Sequence, residues 1–306
     1  MTLEQLRIFV AVAECEHMTQ GSQALNLTQS ATSAAIATLE ARHAMRLFDR
    51  VGRRIALTDA GRLFLVEARA VLARAGMAES VLADLAGLKR GSLAIAASQT
   101  VANYWLPAII HRYQTLYPGI AVTLSIGNTQ SVASSIHGGT ADVGFVEGRI
   151  DDPALAVAPV GFDDMVLVVG NQHAWSRLGS VSPDQLAKTR WVLREPGSGT
   201  RSLLEEALAK FGLAIRDLDV AMELPSNEAV RSAVEAGAGA SVISKLVAQA
   251  SIRSGALIEV AIPLPKRGFF ALRHKERYRT KAQDTFMKLI VAEVSRPATV
   301  KEPHHV

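Results

Sequence analysis

From Thr58 to about Leu88 the sequence keeps a helical rhythm without a break, and this stretch decides how the rest of the chain can be arranged. Phe64, Ala68, Val71, Ala75, Ala78, Leu82 and Leu85 recur at alternating steps of four and three, the spacing of a heptad seam. Its alanines allow a second helix to approach closely. A helix this long has no globular partner within its own segment, so we pair it with the same helix of a second subunit. It also divides the chain, because the segments on its two sides must fold as separate bodies.

The segment before it reads as short helices and a ribbon. Leu3, Leu6, Phe9, Val10 and Ala13 keep helical spacing and predict a helix over 3–14. A second short helix fits Thr19 to Leu25, with Thr19 as a candidate N-cap. Asn26 then makes the turn, since Asn tolerates left-handed backbone angles. A third helix starts at the cap Thr28 and runs to about Arg42, with an expected buried stripe of Ala31, Ala34 or Ala35, and Leu39. Short helix, tight turn and longer helix make a helix-turn-helix. Residues 47–58 read as a small β-ribbon, with Gly52 at the turn and Arg53 and Arg54 at its tip.

The segment after it changes rhythm. Lys89 to Ser92 is a plausible hinge, and from there strands alternate with helices. Strands are expected at 92–97, 121–126, 142–146, 155–160, 165–169, 190–194, 219–224, 240–243, 256–260 and 267–273. Helices are expected at 102–117, 129–138, 183–188, 200–211, 227–236, 245–253 and 280–294. Such alternation implies parallel sheets with helices on both faces. The last residues, 297–306, carry prolines, charges and the pair His304–His305, and read as a frayed tail without a metal site.

Composition narrows the function classes. The formal net charge is +4 over 306 residues, which permits nucleic-acid binding without demanding it. Residues 1–90 hold eleven Lys/Arg against nine Asp/Glu, an excess of only two, so any contact with nucleic acid must come from local clusters. A single cysteine, Cys15, excludes a disulfide framework within the chain and suits a cytoplasmic protein. The first residues do not read as a signal peptide, and no apolar run has membrane-spanning length. For an enzyme the signals are poor. Gly197-x-Gly199 lacks the third glycine of a dinucleotide fingerprint, and the next pair, Thr200–Arg201, does not make a P-loop. No Ser-His-Asp set, zinc spacing or carboxylate pair stands out, and His137, His173 and His274 read as surface residues. No catalytic residue, metal or cofactor is therefore expected.

Residues 2–62 closely resemble the LysR-type DNA-binding domain. The resemblance rests on Leu6, Phe9, Ala13, Ala24–Leu27, Thr28–Ala31, Ser33, Ile36 and Leu39–Glu40. It continues through Leu47–Phe48, Arg50, Arg54, Leu57–Thr58 and Ala60–Gly61. Residues 91–296 resemble the LysR-type effector domain, which is similar to the type 2 periplasmic binding-protein fold. The fold class implied is an all-α winged helix-turn-helix plus a long linker helix, then an α/β two-lobed effector domain. The expected boundaries are 1–58 for the DNA-binding domain, 59–90 for the linker helix and hinge, 91–296 for the effector domain and 297–306 for the tail. Within the effector domain, lobe one takes 91–161 and 266–296, and lobe two takes 162–265.

A recognition helix offers its N-terminal end to base edges in the major groove. Here that end carries Thr28, Gln29, Ser30, Thr32 and Ser33, which can pair with bases or phosphates. Arg53 and Arg54 can reach flanking phosphates or the minor groove. The bland reading stands beside this: Thr28 can serve only as a cap, the serines as solvated side chains and the arginines as an ordinary charged face. Ala34 and Ala35 depart from the longer polar residues common in the family, which points to more dependence on DNA shape.

In the implied effector fold a ligand sits at strand C-terminal ends where helices begin. Ser98–Gln99–Thr100, Asn128–Thr129–Gln130, Ser198–Gly199–Thr200–Arg201 and Asn227 occupy such junctions, and Glu147 borders them. Free amides at helix starts favour an anion, and Arg201 or Arg194 can add full charge. The alternative is that Gly and Ser serve the turns themselves, that Arg201 pairs with Glu205, and that Glu147 disfavours an anion. The segments Ser98–Pro107, Arg194–Arg201 and Phe145–Gly148 resemble a branch with the CysL-like regulators of sulfur assimilation and the CbbR regulators of carbon fixation. That implies sulfite, another small anion or a phosphorylated metabolite as effector. The resemblance further implies an activator, a homotetramer built from linker-helix dimers, an interrupted palindromic operator on double-stranded DNA, and contact with RNA polymerase. A solute-binding protein or a metabolic enzyme using the same cleft is the alternative, and it leaves residues 1–90 without a purpose.

Overall fold

The computed structural model describes residues 1–51, 54–85, 91–148 and 150–294. The chain divides into two compact units, one of Met1–Leu82 with Gly138–Thr140 and one of Ala83–His137 with Ala141–Val306.

In the first unit, α1 (Leu3–Cys15) opens with a capping box in which Thr2 and Gln5 satisfy each other's backbone amides at 3.0 and 3.2 Å. Helices α2 (Met18–Ala24) and α3 (Gln29–His43) come next. Asn26 between them takes φ 55°, the left-handed turn expected of it. The cap of α2 differs from expectation: His17 holds the N-cap position, and Thr19 lies one residue inside the helix. The α1–α2 approach is close enough that a Cβ on Gly21 would lie 2.7 Å from the Val12 Cα. Strands β1 (Phe48–Val51) and β2 (Arg54–Leu57) form the antiparallel ribbon. Glu40 of α3 anchors it by accepting from the amides of Leu47 at 2.7 Å and Phe48 at 3.2 Å.

Of the stripe expected on α3, Leu39 is buried, but Thr32 and Ile36 take the places given to the alanines. Ala31 and Ala34 are exposed and Ala35 is half-buried. A run of alanines carries too little apolar area to choose the face of a helix, so the larger Ile36 and Leu39 choose it. Helix α4 (Asp59–Leu85) begins on the same core. Ala68 is buried there with Leu6, Phe9, Leu39 and Leu57, and Phe64 packs against them. The first part of the predicted seam therefore packs within its own unit. Leu63, Val66, Val71 and Leu82 stand exposed along α4.

In the second unit, lobe one contains β3 (Gly91–Ser98), α5 (Leu106–Leu116), β4 (Ile120–Gly127), α6 (Thr129–Gly138), β5 (Val143–Glu147) and β6 (Leu155–Asp163). A π-helical turn, Val101–Trp105, leads into α5. Lobe two contains β7 (Met165–Gly170), α7 (Pro183–Leu186), β8 (Arg190–Arg194), α8 (Gly199–Lys210), β9 (Asp219–Leu224), α9 (Asn227–Glu235), β10 (Ala240–Ser244), α10 (Lys245–Arg253) and β11 (Leu257–Val260). The chain then returns to lobe one through β12 (Arg267–His274) and α11 (Lys281–Val294).

The strand orders are β4-β3-β5-β12-β6 and β11-β7-β10-β8-β9. Both sheets are mixed, which corrects the expectation of parallel sheets. β12 runs antiparallel to β5 and β6, and β7 runs antiparallel to β10 and β11. These are the strands by which the chain enters or leaves a lobe, so no βαβ crossover fixes their direction. Helices cover both faces of each sheet, and β5, β7 and β10 are buried along their whole length, as strands covered on both sides must be. Phe145, Phe269 and Phe286 fill one face of lobe one, and Trp191 with Leu208 one face of lobe two. The two passages between lobes run side by side, with Asp163 at the end of β6 opposite Arg267 at the start of β12.

Candidate functional site

In the first unit, the start of α3 is a polar exposed surface. Thr28 Oγ1 accepts from the Ala31 amide at 3.2 Å and contacts Ser30 Oγ at 3.1 Å, so it caps the helix while facing solvent. Gln29 is exposed, and its Oε1 accepts from Thr19 Oγ1 at 3.2 Å, which braces the side chain against α2. Ser30 and Ser33 are exposed. Thr32 is the exception among the expected contact residues. It is fully buried, with an unpartnered hydroxyl, because its position on α3 is one turn before Ile36 on the core face. It belongs to the core and not to the reading surface. Arg53 lies outside the described residues, and Arg54 is described by its backbone alone, opposite Val51 in the ribbon.

In the second unit, the polar junctions come together where the lobes face each other. Thr100, buried at the end of the β3 junction, donates its amide to Glu147 Oε1 at 3.2 Å, and its hydroxyl accepts from Asn227 Nδ2 at 3.0 Å. Gln99 crosses to lobe two twice: its Nε2 donates to the Pro225 carbonyl at 2.8 Å, and its Oε1 accepts from the Asn227 amide at 2.9 Å. Thr129 Oγ1 donates to the Glu147 carbonyl at 3.1 Å, and Asn128 Nδ2 to Glu195 Oε1 at 3.4 Å. Gly197 lies against the exposed Gln130, and Gly199 lies so close to Glu147 that a Cβ there would sit 2.4 Å from its carbonyl oxygen. Ser98 and Ser198 are buried, and the Ser98 hydroxyl donates to the Phe145 carbonyl at 3.4 Å.

The two arginines expected to charge the cleft are both neutralised by neighbours. Arg201 donates to Glu205 at 3.1 Å and Glu223 at 2.7 Å, and also to the Arg194 carbonyl, so its charge is directed away from the cleft. Arg194 grips Glu195 with two bonds of 2.7 and 2.9 Å and reaches Asn227 Oδ1. Burial works against the Glu195 charge, yet this guanidinium holds its carboxyl below the usual carboxylate range. The cation that enters the cleft is one the sequence reading missed. Arg267 is 1 % exposed and donates to Thr200 Oγ1 at 3.0 Å and Thr100 Oγ1 at 3.4 Å. It pairs with Asp163, whose other oxygen accepts from Ser244 Oγ at 3.0 Å. Burial pushes the Asp163 carboxyl up, against the pull of Arg267. A charged residue opening the apolar run Gly268–Leu272 was the available signal.

Two family models match the chain: the bacterial regulatory helix-turn-helix protein, lysR family, over residues 3–62, and the LysR substrate binding domain over residues 86–295. The chain is a LysR-family transcriptional regulator. The HTH-type transcriptional regulator YeiE of Escherichia coli K12 is 36% identical over 94% of this chain and 96% of its own length. A probable RuBisCO transcriptional regulator of Cyanidioschyzon merolae is 33% identical over 93% and 96%. Among solved structures, full-length CbnR complexed with its target DNA superposes with a TM-score of 0.69 at 24% identity, covering 95% of this chain and 99% of CbnR. The chain is thus a ligand-responsive DNA-binding regulator, and its relatives are regulators, not enzymes. The surface of α3 and the polar cleft are its candidate DNA-reading and effector sites. Among the described residues, no helix is long and apolar enough to cross a membrane.

Proposed function

We propose that this regulator is switched by a small oxyanion held between its lobes, and that Thr28, Gln29, Ser30 and Ser33 read the operator with Arg53 and Arg54 on its flanks. The effector reading is supported by the convergence of the junctions at Thr100, Thr200 and Asn227 on the buried Arg267. Helix starts favour negative charge, and the buried Arg267 guanidinium, although paired with Asp163, keeps donors that an anion can use. The relatives named as probable RuBisCO transcriptional regulators make a phosphorylated metabolite one candidate, and the resemblance to sulfur regulators makes sulfite another.

In this reading the protein works in the cytoplasm. Two subunits pair through the exposed side of α4, two pairs form a tetramer, and the tetramer activates transcription through contact with RNA polymerase. A ligand shifts such an assembly only if it prefers one lobe arrangement over another. The test is thermal unfolding of the full-length protein with sulfite, sulfate, phosphate and phosphorylated metabolites at millimolar level. An anion at 100 times its dissociation constant stabilises by about 2.7 kcal/mol. A selective shift that disappears in Thr100→Ala supports the reading, and no shift with any anion overturns it.

A further inference from the structure

The guanidinium of Arg267 is half-used on one side. Its Nη1 donates to Thr200 and its Nη2 to Thr100 and Asp163, while Nε is buried without a partner. Carboxylates ordinarily take an arginine with two parallel bonds, one oxygen on each of two nitrogens. Asp163 does not, because Ser244 holds its second oxygen at 3.0 Å. A buried N–H without an acceptor is costly, and here it lies beside an ion pair whose two members are each 1 % exposed at the side chain. The free Nε and the shared Nη2 form one edge of the guanidinium, and that edge fits two oxygens of a single anion.

We propose that Asp163 is a built-in stand-in for the effector: it neutralises Arg267 in the ligand-free cleft and is displaced when an oxyanion takes the Nε–Nη2 edge. This rests on the reading of the cleft as an anion site, and it adds the regulation of that site. The donors set the ligand class. At least two oxygens must face Arg267, and the Thr100 hydroxyl on Nη2 lies beside them, which suits a compact sulfur or phosphorus oxyanion. A monatomic anion can bridge the same two N–H groups but has no second oxygen to offer the Thr100 hydroxyl beside them. Displacement also gives the anion its lever, because Asp163 and Arg267 lie on the two strands that join the lobes. Ser244, at the start of α10 in lobe two, keeps the released carboxylate hydrogen-bonded.

The experiment measures binding of sulfite, sulfate, phosphate and chloride by calorimetry to the full-length protein and to Asp163→Asn. Removing the internal competitor leaves Arg267 without its ion-pair partner, so oxyanion affinity is expected to rise at least tenfold, with little gain for chloride. If Asp163→Asn does not fold alone, its recovery of native circular dichroism on titration with the same anions is the readout, and oxyanions are expected to restore it where chloride does not. The double variant Asp163→Asn/Arg267→Gln removes both charges and is expected to fold without anion and to lose the response. Equal oxyanion affinity in the wild type and Asp163→Asn overturns the stand-in while leaving the anion site intact. Absence of oxyanion binding in both overturns the stand-in together with the anion reading. Equal gains for chloride and sulfate overturn the two-oxygen edge.

Discussion

Gly199→Ala tests whether the lobes are held as closely as the structure has them. An alanine Cβ at this position would lie 2.4 Å from the Glu147 carbonyl oxygen and 3.0 Å from Thr129 Oγ1. Ordinary contact needs about 3.4 Å or more, so the backbone of lobe two must retreat by roughly 1 Å. The bonds that cross between lobes here are 2.8 Å (Gln99 to Pro225), 2.9 Å (Asn227 to Gln99) and 3.0 Å (Asn227 to Thr100). A retreat of that size takes them out of hydrogen-bond range, and each is worth about 0.5–1.5 kcal/mol. Alanine also gains up to about 1 kcal/mol over glycine in a helix, which offsets part of the loss. The net expectation is a destabilisation of about 2 kcal/mol, or a fall in Tm of roughly 4–8 °C for a domain of this size. Circular dichroism melts of wild type and Gly199→Ala provide the measurement. A variant melting within a degree of wild type refutes the close approach and the cross-lobe bonds argued from it.

Thr32→Val removes a buried hydroxyl that has no partner, so it should stabilise the protein by about 1 kcal/mol and leave operator affinity unchanged. A lost operator shift in a gel assay would place Thr32 on the DNA after all. Gln29→Ala combined with Ser33→Ala should weaken specific binding at least tenfold, since a good base contact is worth about 1–3 kcal/mol; undiminished discrimination between operator and random DNA counts against that surface. Because burial raises the Asp163 carboxyl above its ordinary value, the folded state binds more protons there than the unfolded state. That contribution is complete below about pH 3.9 and is lost as pH rises through the folded value. The stability of wild type relative to Asp163→Asn should therefore fall with rising pH from about 4, and a rising difference in urea titrations contradicts the shift.

Much of this architecture is written locally. Lys245–Arg253 has its N-cap, Ser244, directly before it, and both this helix and the strand Asp219–Leu224 form over the residues expected. The helix-turn-helix is legible because Asn26 and Thr28 do jobs that need only their immediate neighbours. Features that local pattern does not hold are decided by distant partners. The direction of β12 depends on β5 and β6, more than a hundred residues earlier. The face of α3 that turns inward depends on α1 and α2, and a stretch of alanines does not announce it. The cleft junctions could be placed from their turn chemistry, but Arg267 could not. Its role comes from Asp163, Thr100 and Thr200, none of them near it in sequence.

The packing of Ala68 and Phe64 into the DNA-binding core makes α4 a rigid outrigger of that domain. A helix of 27 residues is about 40 Å long. About 17 of those residues, or roughly 25 Å, lie beyond Ala68, so a tilt of roughly 5° about that anchor sweeps the far end through about 2 Å. Angular changes of a few degrees at the DNA-binding core are thus magnified along this arm to a displacement large enough to break a hydrogen bond.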